Sequence, residues 1–439
     1  TDGHATVRLS LLQVSIVTPR PTGDTISPLS LSHKNKYFHL KVMNCWPYQE
    51  LGENFSKYKS TVLSIAHVCL CACAVTGITM YLLTRDLSFN DLGHVIITLL
   101  MAVVGTSRVL MIGLSKEYKQ LFATFIKKIH LLYYKDRSEY ALKTYKQVHK
   151  ISHYFTITLT VQGFTGIFFF TLIPVYRNYS NGLFKEKILQ NATFEHSIYF
   201  AFPFDIHTSF NAYIFKLHCY RFLAYFTTSW FIIIDLLLAI TVFHIWGHLK
   251  ILIYDLGSFP LPVHRTTASF GYKNRTLQAN MYSTMELVDV AQKLKECINY
   301  HRFIVNFAGR VTKTFGPGLL IYLIFHQACG CLLLLECSQM TADALLSYGL
   351  FTIVAFQLLI QLSVIFELIG STSEKLKDAV YGIPWEYMDT SNRKTVFIFL
   401  MMVQQPIRVK AMGLISVGVT TMATIIKTSF TYFMFLRTI

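Results

Sequence analysis

Residues 395–436 read TVFIFLMMVQQPIRVKAMGLISVGVTTMATIIKTSFTYFMFL, a run of 42 residues that is nearly all apolar or small. A helix crosses a ~30 Å hydrocarbon core in roughly 20 residues, so this run is about twice one span. The interruption falls at Gln404-Gln405-Pro406, where proline removes a backbone donor and clashes with the preceding turn, and Arg408 and Lys410 follow at once. The run therefore predicts a short helix outside the bilayer over residues 395–403 and a spanning helix over residues 409–436.

The predicted spanning helix carries a hydroxyl stripe. At ~100° per residue, Thr420, Thr424, Thr428, Thr431 and Phe435 share an arc ~80° wide, with Gly413 and Val417 continuing it below. Val419, Met422, Ile426, Phe430 and Phe433 lie opposite. Lys427 is ~20° off the stripe, where an ammonium would repel cations. In lipid such a stripe faces either a neighbouring helix or water, and the pattern by itself fits both.

The rest of the chain reads as membrane protein too. Of 439 residues 53% are apolar and 15% charged, with a mean hydropathy of +0.41, which is outside the range of an ordinary soluble globule. Spans are expected over residues 61–83, 91–114, 151–176, 220–247, 317–336 and 346–369, ahead of the interrupted run. The net charge of +16 would suggest nucleic acid in a soluble protein. Here the basic residues lie between apolar runs, so no nucleic-acid partner is expected. Residues 1–59, 116–150 and 250–313 hold 25 Lys and Arg, against 4 in residues 84–90, 177–211 and 336–347. Basic loops stay on the cytoplasmic side, which puts the N-terminus inside and, after seven spans, the C-terminus outside. The expected architecture is all-α: a cytoplasmic segment (1–59), a six-helix transmembrane region with cytoplasmic helical extensions (60–394), and a split seventh helix (395–439). Residues 1–59 are polar and mixed in charge, so no cleavable signal peptide is expected.

Catalytic and metal chemistry find no support. There is no Gly-rich phosphate loop, HExxH or GxSxG, and the 9 cysteines show no paired CxxC framework. Neither an enzyme nor a bound metal or cofactor is expected. Arg108, near the end of the second predicted span, is expected to snorkel to headgroups, and Asp235, inside the fourth, to bond to a neighbouring helix. Sequons at Asn178 and Asn191 fall in a predicted outer loop and are candidate glycosylation sites.

A ligand site is expected among the outer halves of the spans. Residues 162–171, QGFTGIFFFT, combine glycines that open space with aromatic rings and few polar groups, which suits a small volatile held by apolar contact and one or two hydrogen bonds. The candidates are Gln162, Phe164, Thr165, Phe168 and Phe169. The other reading of these rings is contact with lipid or neighbouring helices. Facing candidates at the same depth are His94 and Thr98, Tyr213, and Tyr348, Phe351 and Thr352.

YGIPWEYM at 381–388, RKTVFIFLMMVQQPIRVKAMG at 393–413 and TIIKTSFTYFMFL at 424–436 resemble the closing signature of insect odorant receptors. The similarity is specific in the last 60 or so residues and extends weakly to Trp46-Pro47 and Asp235. It implies a plasma-membrane, ligand-gated, non-selective cation channel built from four subunits. In this reading Thr420, Thr424, Thr428 and Thr431 line the pore, Phe435 forms its hydrophobic constriction, and odorant binds among the second, third, fourth and sixth spans. It further implies assembly with a shared co-receptor, whose long cytoplasmic insertion before the fifth span is missing here, so the chain resembles the tuning subunit. A gustatory-type channel is the nearest alternative. A metabotropic seven-helix receptor would need the opposite orientation, and neither a DRY-like nor an NPxxY motif is present. A transporter would need an internal repeat pairing the Gln-Pro break with a second one.

Overall fold

The structure, a computed structural model, describes residues 40, 43–53, 56–87, 89–184, 194–201, 210–263, 266–272, 275–338 and 348–438. Ten helices of six or more residues organise them: α1 (Lys57–Thr84), α2 (Phe89–Leu114), α3 (Lys116–Thr124), α4 (Glu139–Ser180), α5 (Phe210–Gly257), α6 (Thr284–Cys337), α7 (Leu350–Glu374), α8 (Leu376–Tyr381), α9 (Thr390–Met402) and α10 (Val419–Thr438). Six of the segments are long and apolar enough to cross a membrane: Tyr58–Thr84, Leu92–Gly113, Glu139–Ser180, Tyr213–Gly257, Thr284–Cys337 and Leu350–Tyr387. The 20-residue α10 is ~30 Å long, enough for a seventh.

Each expected span is helical over its described residues, the seventh from Val419 on, but α4, α5 and α6 run well past the bilayer. With 42, 48 and 54 residues they reach ~63, ~72 and ~81 Å, so each span and its polar extension form one continuous rod. The rods begin where side chains satisfy the first free amides. Ser138 accepts from Ala141 N at the start of α4, and Ser283 with Glu286 forms a reciprocal cap on α6. Their extensions pack into a base layer with α3. There His248 lies 2.7 Å from the Tyr300 hydroxyl and 2.6 Å from the Ile129 carbonyl, and Arg137 pairs with Asp255 at 2.9 Å. The turn at residues 43–48 docks on the same layer. Asn44, at a φ of 53°, bonds to Ser60 and Ser64, and Tyr118 donates to the Cys45 carbonyl.

Two hairpins depart from the helical reading. β1 (Thr266–Tyr272) pairs antiparallel with β2 (Arg275–Met281), within a stretch expected to be helical. β3 (Lys410–Ala411) pairs with β4 (Ile415–Ser416), so the seventh span starts at Val419 rather than 409. Left-handed conformations at Met412 and Gly413, with φ of 48° and 74°, turn the chain where the stripe was expected to continue through Gly413 and Val417. The hairpin is pinned to α6 by Met412 N donating to the Gly316 carbonyl at 3.2 Å. A Cβ on Gly316 would lie 3.0 Å from that amide nitrogen and 3.2 Å from the Lys410 carbonyl oxygen, so any larger residue would push the hairpin away from α6. The helix before the break is longer than 395–403. It begins at Thr390, because the Asp389 carboxylate accepts from the Ser391 and Asn392 amides.

Candidate functional site

Helices α1, α2, α4, α5, α6 and α7 surround a cavity of about 310 Å³, the size of a small-molecule pocket. Its walls are mainly apolar, with Ile97, Met101, Ile167, Phe169, Phe170 and Phe351 among them. The Phe170 and Phe351 rings meet edge to face at 5.7 Å. Residues 194–201 close one end: Ser197 donates to the Phe170 carbonyl, His94 contacts the Ser197 carbonyl at 3.0 Å, and Ala201 N donates to the Gly77 carbonyl. Asn178 holds this segment from behind, its amide bonded to the Glu195 backbone and the Tyr213 hydroxyl.

Charge borders the cavity as well: beside the closing segment Arg177 pairs with Glu195 at 3.3 Å. Arg108 pairs with Asp235 at 2.9 Å, with side chains 5% and 9% exposed. Its guanidinium also donates to the Phe231 carbonyl and lies 4.2 Å from the Phe231 ring and 5.0 Å from that of Tyr322. The expected snorkelling is thus corrected: Arg108 turns into the bundle, because Asp235 and two aromatic faces replace water there. Asp235 meets its expected neighbouring-helix partner in Arg108.

The sequence-predicted ligand residues divide. His94, Thr98, Gln162, Phe169, Tyr348 and Phe351 line the cavity. Phe164 and Phe168 do not. They are 50% and 58% exposed and, with Leu172 and Tyr176 four and eight residues beyond Phe168, form the outward stripe of α4. Thr165 is exposed as well. Tyr213 stacks on Phe194 at 4.5 Å in a separate cluster behind the closing segment. The Thr352 hydroxyl bonds to the Tyr348 carbonyl and lies 3.4 Å from the Cys337 sulfur, away from the cavity. Asn178 is fully buried and hydrogen-bonded, so a glycan at this sequon is not compatible with the fold, and Asn191 lies outside the described residues. Sequence reasoning missed Trp230, Tyr322 and His326, which also line the cavity. The available signal was an Asp and an Arg in two different apolar runs, which mark an interior site.

On α10 the hydroxyls separate by face. Thr428 donates to the Gln327 side chain, and Ser429 is buried against Gly330, where a Cβ would lie 2.8 Å from the serine oxygen. Thr420, Thr424 and Thr431 are exposed on the face turned away from α6, as are Lys427 and Phe435. Thr424 and Thr431 donate to carbonyls four residues back, which leaves their oxygens able to accept. The Phe430 ring, expected opposite the stripe, stacks on Phe356 of α7.

Residues 88–430 match the model of a family described as "7tm Odorant receptor". The chain is 25% identical over 149 residues to "Putative odorant receptor 85d" of Drosophila melanogaster. That alignment takes in 33% of this chain and 35% of the other, so the chain spans about a third of the length of the curated relative it matches. Among solved structures, the fold is similar to the insect olfactory receptor OR5 from Machilis hrabei, with a TM-score of 0.70 and 14% identity over 99% of this chain and 97% of that one. The same receptor in complex with eugenol gives a TM-score of 0.70 over 98% of its chain.

Proposed function

The chain belongs to the 7tm odorant receptor family, and from that premise we propose that it is the odorant-tuned subunit of a ligand-gated, non-selective cation channel in the plasma membrane. The observation that carries the channel reading is the exposed face of α10. Thr420, Thr424 and Thr431 are exposed there while the opposite side of the helix packs on α6 and α7. A spanning helix that turns hydroxyls away from its own bundle needs water or another subunit on that side. Four copies of α10 around an axis would supply a hydrated column, with Phe435, 61% exposed, as an apolar constriction near its end.

Lys427 on the same face favours a mixed assembly, because four ammonium groups around one pore would oppose cation entry. The partners in this reading are co-receptor subunits in a heterotetramer. The exposed apolar residues Phe397, Ile398, Met401 and Met402 of α9 offer a docking face for them. The ligand is a small volatile held in the cavity, and the basic base layer with the N-terminus is cytoplasmic. A gustatory-type channel would share this architecture and differ in its ligand.

The test is whole-cell recording in cells without G-protein signalling, with and without co-receptor. Volatile-evoked cation current that requires both chains is expected, and Phe435→Ser should raise ligand-free current more than Phe433→Ser. A response that survives only with G-protein signalling, or a C-terminal epitope labelled only after permeabilisation, refutes the proposal.

A further inference from the structure

One band of the cavity wall is polar in a way the channel reading does not use. The Gln162 amide lines the cavity, and both its nitrogen and its oxygen are buried with no hydrogen-bond partner among the described residues. The same holds for the indole nitrogen of Trp230 and for Nε2 of His326, a residue 2% exposed. Contacts between their helices link these groups around the cavity. A Cβ on Gly163, next to Gln162, would touch Ile232 and Thr228, so this part of α4 meets α5 at residues 228–232. Phe231, next to Trp230, is 6.4 Å from Phe325, and Phe325 is 5.2 Å from His326. Buried polar groups are almost always satisfied, so several orphans in the wall of one cavity point to a ligand that completes them.

The chemistry of the orphans selects the ligand. An amide presents donors on nitrogen and an acceptor on oxygen, and an indole nitrogen only donates. A ketone or ester accepts only, and would leave the Gln162 oxygen unpaired. An ammonium donates only, would leave the Gln162 and Trp230 N–H groups unpaired, and would bring positive charge to Arg108. A carboxylate finds no counter-charge to spare, since Arg177 in the cavity wall is paired with Glu195 and Arg108 with Asp235. Of these groups only a hydroxyl both accepts and donates. We propose that the cavity selects a neutral ligand with an apolar body and one hydroxyl group, an alcohol or phenol, whose oxygen is held by Gln162 with Trp230 and His326 beside it. This rests on the reading of the cavity as the odorant site.

The test compares an alcohol with its methyl ether and with the ketone of the same skeleton. Two readouts serve: thermal stabilisation of the purified full chain, and current evoked in cells that also express co-receptor. The alcohol should be about 10-fold or more the most potent of the three, the range that one unmade buried hydrogen bond gives. Gln162→Leu should erase that preference while the ether response persists, and His326→Phe should reduce it. An alcohol no better than its ether in the wild-type chain, or a preference that survives in Gln162→Leu, overturns the proposal and leaves the receptor reading intact. A purely structural role for Gln162 would instead weaken all three ligands equally, which also overturns it. If no volatile of any class stabilises the chain or evokes current at normal surface expression, the receptor reading fails first.

Discussion

Removing one charge of the Arg108–Asp235 pair should damage the protein far more than removing both. At 2.9 Å and an effective dielectric of about 20, two unit charges attract by about 6 kcal/mol, which offsets the cost of taking both out of water. Asp235→Asn keeps the shape and a hydrogen-bonding oxygen but leaves a guanidinium, on a side chain 5% exposed, without its counter-charge. The expected loss is about 3–5 kcal/mol, the usual range for a broken buried pair. Arg108→Met with Asp235→Leu removes both charges and fills the volume, and Met can lie between the Phe231 and Tyr322 rings as the guanidinium does. The double variant should therefore regain most of that loss. Thermal unfolding of the full chain in detergent, with surface expression as the cellular readout, measures the cycle. If Asp235→Asn is as stable as the wild type, or the double variant no better than the worse single one, Arg108 is compensated by something other than Asp235 and the argument fails.

Two further outcomes follow from particular side chains. Phe168→Ala should leave the dose–response to volatiles unchanged, whereas Phe351→Ala, which strips an aromatic ring from the cavity wall, should raise the effective concentration about 5- to 150-fold for a contact worth about 1–3 kcal/mol. Equal responses from the two variants would move the binding site. In the base layer, burial, aided by the nearby charges of His149 and His248, lowers the His130 pKa to about 4, well below the ~6.5 of an unfolded chain. The native state then holds fewer protons, so its stability is intact above pH ~6.5 and falls as pH drops from there towards 4. His130→Gln should flatten part of that decline in melting temperature, and an unchanged slope would rule His130 out as a contributor.

Span positions were legible because a 20-residue apolar run has one physical reading, and the Gln-Pro break because proline cannot continue a helix. The facing of α4 was not. Residues 162–171 offer aromatic rings on every side, so periodicity gives no contrast between lipid and cavity, and Phe168 and Phe169, 100° apart, were read alike. The hairpin at 410–416 was hidden for a related reason. Gly413 permits a left-handed turn but does not demand one, and Met412 gives no sign that it adopts the same conformation. The Arg108–Asp235 contact joins residues 127 positions apart. Each charge was visible, but only the fold decides which buried partner it meets.

Helix α6 has a place in this arrangement that no motif announced. His326 lines the cavity, and the next residue, Gln327, contacts the Thr428 and Ser429 hydroxyls on α10. Adjacent residues on a helix point ~100° apart, so one rod presents one face to the cavity and another to α10. At Gly330, a turn further along, the absent side chain lets α10 approach until Ser429 is fully buried. A rotation of α6 that improves the cavity's grip on a ligand must therefore strain or release the contacts at Gln327. Two hydrogen bonds, each worth about 0.5–1.5 kcal/mol net, match the 1–3 kcal/mol by which coupled sites typically influence each other. A route of this kind needs no large movement. It needs polar contacts from α6 to α10 on one side and exposed hydroxyls on another, and that is how Thr428 and Ser429 differ from Thr420, Thr424 and Thr431.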